Sequence, residues 1–97
     1  MALQIRYSLK AKQEYTAIIS YIIQNFGLEK AILIDGNFEK VIRQISINAE
    51  MYPIFDNRRK IRRCVLSKQT TLFYRIEGKN IELVSFRSNL MNPESDI

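Results

Sequence analysis

Ninety-seven residues, 46% hydrophobic and 26% charged with three glycines and two prolines, suit one folded domain and exclude both a second domain and a disordered or low-complexity chain. Fifteen Lys and Arg against ten Asp and Glu leave a net charge of +5, which favours an anionic partner, nucleic acid or an acidic protein, although a basic surface that only confers solubility has the same signature. Histidine is absent, which removes histidine triads and imidazole metal sites, and the single cysteine, Cys64, excludes an internal disulfide and reads as a buried, inert thiol.

No metal or cofactor is expected. The opening MALQIRYS has no uninterrupted apolar run, and no stretch reaches bilayer-spanning length, so the expected location is the cytoplasm, without membrane association. Leu3, Ile5 and Tyr7 alternate with Gln4 and Arg6, the period of a short half-buried strand. Ser8 offers a hydroxyl to cap a helix from Leu9, although Ala11 cannot complete a capping box. Ala11, Tyr15, Ile18, Ile22 and Phe26 recur at helical spacing, and Ile19 and Ile23 widen that stripe, so the helix should touch two neighbours. Gly27 ends it as a left-handed cap.

A second helix is expected from Leu28 to about Asn48, with Ala31, Ile34, Phe38, Val41 and Ile45 inward and Glu39 and Arg43 paired on the exposed side. Gly36 within it costs roughly 1 kcal/mol relative to Ala and suggests close packing against the first helix. Met51, Tyr52 and Pro53 stop the helical pattern, and the polar segment 56–60 carries the chain across. Three runs rich in β-branched and aromatic residues follow, Ile61 to Leu66, Thr70 to Ile76 and Ile81 to Phe86, separated by SKQ and EGKN. They predict an antiparallel meander.

The expected fold is therefore α+β, β-α-α-β-β-β, with a helical hairpin on one face of a mostly antiparallel four-stranded sheet. Residues 1–97 form one domain with a loose tail from about residue 89, in which Leu90 and Met91 are placed to tuck onto the sheet. Leu72, Tyr74 and Ile76 should face the helices, leaving Thr71, Phe73 and Arg75 on the open face. Tyr52 and Phe55 read either as core or as the wall of a groove. Arg58, Arg59 and Lys60 lead into the meander, and Arg62, Arg63, Arg75 and Arg87 lie within it; any one of Arg58, Arg59, Arg62 and Arg63 is equally well explained as a solubilising charge on a sheet edge, paired with Asp56, Glu77 or Glu82. As a cluster they mark a binding surface.

The element order, the opening strand ending in Tyr-Ser, Tyr15 and Ile22, the short hairpin, Pro53, and the segment IRRCVLSKQTTLFYRIEGKNIELVSF resemble the RelE/ParE superfamily of toxins from type II toxin–antitoxin modules. The resemblance covers nearly the whole chain and is most specific over LFYRIEGKNIELV, Leu72 to Val84, behind a basic strand containing Arg62. It implies a bacterial growth inhibitor neutralised by a cognate antitoxin whose C-terminal segment wraps the toxin, with Arg58, Arg59, Arg62, Arg63 and Arg75 as candidate contacts. Two activities remain open within it. RelE-like members are metal-independent endoribonucleases that cleave mRNA on the ribosome, which would make Arg62, Arg75 and Arg87 the catalytic candidates. ParE-like members inhibit DNA gyrase and need no catalytic set. Cys64 and Thr71 stand where the nuclease pattern has a lysine and an arginine, and the segment after Phe86 lacks a late Tyr or His, leaving Arg87 as its one cation. Those departures tip the expectation toward gyrase, with a non-toxic antitoxin-binding partner as a third reading.

Overall fold

The computed structural model describes residues 2–90. Its elements run β1 (Gln4–Tyr7), α1 (Leu9–Phe26), α2 (Leu28–Ile47), β2 (Ile54–Asp56), β3 (Ile61–Val65), β4 (Thr70–Glu77) and β5 (Asn80–Ser88). The sheet has five strands in the order β1-β5-β4-β3-β2, one more than expected. The addition is β2, which pairs antiparallel with β3 and carries a bulge between Ile54 and Asp56. Three residues after a proline are too few to show a period, and the following turn hides them. There Asp56 Oδ1 accepts from the amides of Arg58 and Arg59 at 3.0 and 3.3 Å, and Lys60 takes φ 59°. Strands β2 to β5 are antiparallel neighbours, whereas β1 joins β5 in parallel, and the two-helix connection carries the chain from β1 at one edge of the sheet to β2 at the other.

Ser8 explains how α1 attaches to that sheet. Its Oγ accepts from the Ala11 amide at 3.0 Å, capping the helix, and donates to the Val84 carbonyl at 2.9 Å, while its own amide donates to the Leu83 carbonyl at 3.0 Å. Strand β5 is bulged at this point, since Phe73 pairs with Ser85 but Tyr74 pairs with Leu83. The bulge turns both Leu83 and Phe86 inward at a spacing of three. Farther along, Glu14 accepts from the Phe86 amide at 3.0 Å and from Ser85 Oγ at 2.9 Å, so α1 satisfies the edge of β5 that β1 is too short to cover.

Gly27, at φ 94°, is both the last cap of α1 and the first of α2. The buried core joins Ala11, Ile18 and Ile22 of α1 and Ala31, Ile42 and Ile45 of α2 to Cys64, Leu72, Tyr74, Ile81, Leu83 and Phe86 of the sheet. Phe26, expected on the inner stripe, is 58% exposed at the hairpin turn, and Ile42 supplies buried surface that the predicted stripe lacked. Glu39 and Arg43 form no ion pair with each other. Leu90 packs partly buried against the core; Met91 and the rest of the expected tail lie outside the described residues. No helix among the described residues is long and apolar enough to cross a membrane.

Gly36 does not pack closely against α1. No atom lies within 4 Å of a Cβ built there, so the glycine carries its entropic cost with no contact inside the chain to offset it. Gly36→Ala should stabilise the fold by about 1 kcal/mol, read as an increased urea midpoint at unchanged slope.

The phenols set a second expectation. Tyr74 is fully buried and donates to the Ala49 carbonyl at 2.7 Å, and burial pushes its pKa up to about 12 against partial opposition from the Arg62 charge. Tyr15 donates to Asp35, and burial together with that carboxylate acceptor raises it further. Tyr7 and Cys64 are raised by burial, and Tyr52 chiefly by its hydrogen bond to Cys64. All five hold their protons to higher pH in the folded chain than in the unfolded one, where tyrosine titrates near 10 and cysteine near 9. Their contribution to stability is complete below about pH 9 and is lost as pH rises toward 12. Urea midpoints should be flat from neutral pH to about 9 and then fall, with a shallower fall in Tyr74→Phe.

Candidate partner-binding face

The helices cover one face of the sheet, and strand register decides what the other presents. Arg62 pairs with Tyr74 and Cys64 with Leu72, so these four point toward the helices. Arg63 pairs with Phe73, Arg75 with Glu82, and Thr71 with Arg87, all on the open face. Adjacent arginines at 62 and 63 are thereby sent to opposite sides.

Arg62 is held in the structure of the chain. Its side chain is 15% exposed, and its Nη1 donates to the Tyr52 carbonyl at 2.6 Å and the Glu50 carbonyl at 3.3 Å. With Tyr74 bound to Ala49, it fixes the loop that leads from α2 into β2. Arg75 is also engaged: its Nε lies 2.9 Å from Glu82, and its Nη2 lies 3.4 Å from Glu77. Arg58 is exposed on the β2–β3 turn, away from the sheet-face pairs.

The remaining candidates converge. Phe55 is 56% exposed and packs on Phe73 with ring centroids 5.2 Å apart, and the Arg63 guanidinium lies 4.9 Å from the centre of the Phe55 ring. Beside this stack is an open concavity of about 260 Å³, with Phe55, Ile61, Phe73 and Val84 supplying apolar wall and Lys10, Arg59 and Arg87 supplying charge. Among the described residues Asp56 is the one carboxylate that lines it, and it faces Arg59 at 3.7 Å. Lys10 and Arg87 have no ion-pair partner among the described residues.

Lys10 was not among the sequence candidates. It sits in the first turn of α1, where the helix dipole disfavours cations and no acidic residue compensates. That misplacement was the available signal. Phe73 was expected on this face, and Phe55 proves to be groove wall. The cations and exposed aromatics form a surface for an anionic, partly apolar ligand.

The family model described as the ParE toxin of the type II toxin–antitoxin system parDE matches residues 5–93. A comparison with curated protein sequences found no match. Among solved structures, the chromosomal ParDE toxin–antitoxin system of P. aeruginosa superposes with a TM-score of 0.74 at 16% identity, covering 90% of this chain and 96% of the other. The YoeB dimer of Staphylococcus aureus gives 0.62 at 16% identity, covering 90% and 97%. The E. coli DinJ-YafQ complex gives 0.56 at 14% identity, covering 93% and 97%. At such identities these likenesses establish the fold, α+β with two helices on a mixed sheet, and the match to the family model over nearly the full length establishes kinship. The chain belongs to the ParE toxin family of type II toxin–antitoxin systems.

Proposed function

We propose that the chain inhibits growth in the ParE manner, by acting on DNA gyrase, and that a cognate antitoxin neutralises it by covering the positive concavity on the open sheet face. The observation that carries this reading is the chemistry of that face: it gathers Lys10, Arg59, Arg63 and Arg87 around exposed aromatics, its carboxylate, Asp56, is held by the Arg58 and Arg59 amides and faces the Arg59 guanidinium, and other groups able to move protons are engaged elsewhere. The Tyr74 hydroxyl is bound to Ala49 on the helix side, Glu82 is tied to Arg75, and Glu14 accepts from Ser85 and Phe86. Such a surface can bind strongly without performing acid–base chemistry. Family membership supports the gyrase target, and the ParDE and DinJ-YafQ assemblies among the structural neighbours support a protein antitoxin.

One feature favours a second reading. Three cations around one concavity also suit an RNA phosphate, as ribosome-dependent mRNA cleavage requires. Inducing the chain alone in bacterial cells and pulse-labelling DNA and protein synthesis over the first minutes separates the two. The expected result is an early fall in DNA synthesis with translation intact. An early fall in translation establishes the cleavage reading instead, and no change in either rate, with folded protein present, leaves an antitoxin-binding partner without toxicity.

A further inference from the structure

The outward side of α2 carries a pattern that the core does not use. Helical repeat places Glu29, Ile32, Leu33, Gly36, Lys40 and Arg43 opposite the buried Ala31, Phe38, Ile42 and Ile45. Ile32 and Leu33 are 63% and 60% exposed. One turn farther along, Gly36 leaves open space where a side chain would stand. Inside this chain the glycine is only a cost; on the outer surface it makes a notch beside two apolar side chains, where a second helix can approach closely.

Charge identifies that helix. Glu29 lies seven residues before Gly36 and Arg43 seven after, while Ile32 lies four before and Lys40 four after. A two-fold axis through Gly36 with antiparallel helices sets Glu29 against Arg43 of the second copy, twice, and lays each Lys40 stem over Ile32. Parallel helices would instead set Lys40 on Lys40 and Arg43 on Arg43. None of Glu29, Lys40 and Arg43 has an ion pair within its own chain among the described residues. At a shallow crossing of about 20°, residues about 10 Å from the axis remain within reach of one another.

We propose that a second copy of the chain docks here, the two α2 helices crossing antiparallel at Gly36 to form a symmetric dimer. A single helix pair lies at the small end of interface sizes, so the dimer is of micromolar affinity, and it leaves the open sheet face accessible on the opposite side. Sedimentation equilibrium of the free chain from about 1 to 500 µM should show a monomer–dimer equilibrium. Arg43→Glu and Glu29→Arg should each weaken it at least about 10-fold, and the combined variant should restore it because both ion pairs are rebuilt reversed. Gly36→Leu should abolish the dimer while raising the melting temperature of the monomer, which separates loss of contact from loss of fold. A monomer at every concentration, or a dimer indifferent to these substitutions, overturns the proposal. So does a monomeric chain whose α2 variants lose antitoxin affinity, because the face then belongs to the antitoxin.

Discussion

Replacing Arg62 with methionine should destabilise the fold by about 2–3 kcal/mol, because it removes charge-assisted hydrogen bonds and leaves a part-buried carbonyl without a donor. For a domain of this size that corresponds to a fall in melting temperature of roughly 10–20 °C. Methionine keeps the length and apolar volume of the side chain, so the loss reports the guanidinium and not a cavity. The stronger bond is the one to Tyr52 at 2.6 Å; the Glu50 carboxylate, 3.9 Å away and 80% exposed, contributes little. Glu50→Gln should therefore leave the melting temperature nearly unchanged, and Arg62→Lys, which keeps the charge but loses the fork, should fall between. Thermal unfolding followed by circular dichroism measures all three. A melting temperature unchanged in Arg62→Met would mean that the loop is held by Tyr74 alone and would free Arg62 for a surface role.

That residue also shows where the sequence was legible and where it was not. The helix limits were readable because Ser8 and Gly27 are local signals, and the meander because β-branched runs and polar links are local too. The facing of Arg62 was within reach: Cys64 was read as buried, and a residue two positions earlier shares its face. Reading the arginines as one cluster obscured that alternation. Strand β2 was hidden because three residues carry no period, and the Val84 bulge because it depends on Ser8, which lies 76 residues away in sequence. Partnerships such as Glu14 with Phe86 and Arg75 with Glu82 depend on register, which a single chain's pattern does not encode. Charge and composition could indicate that an anion would be bound. They could not select Lys10, which reaches the sheet face only because α1 starts against the bulge.

Lys10→Glu combined with Arg87→Glu should therefore lower affinity for the cognate antitoxin at least about 100-fold, since both cations border the concavity and neither is offset by a carboxylate among the described residues. Stability should move little, and in part upward. Both side chains are exposed, and a glutamate in the first turn of α1 gains roughly 0.3–1 kcal/mol from the helix dipole that the lysine opposes. Opposite effects on binding and stability distinguish a functional cation from a structural one, and Arg62→Met should show the reverse profile. Arg75→Glu is the internal comparison: it sets a third carboxylate beside Glu77 and Glu82, so it should affect stability more than affinity. Calorimetric titration at two salt concentrations measures the binding term, and the wild-type affinity should fall with salt more steeply than that of the double variant. Unchanged affinity in the double variant would remove the Lys10 and Arg87 side of the concavity from the antitoxin interface and leave its opposite wall, Phe55 with Arg63 stacked on it, as the contact to test next.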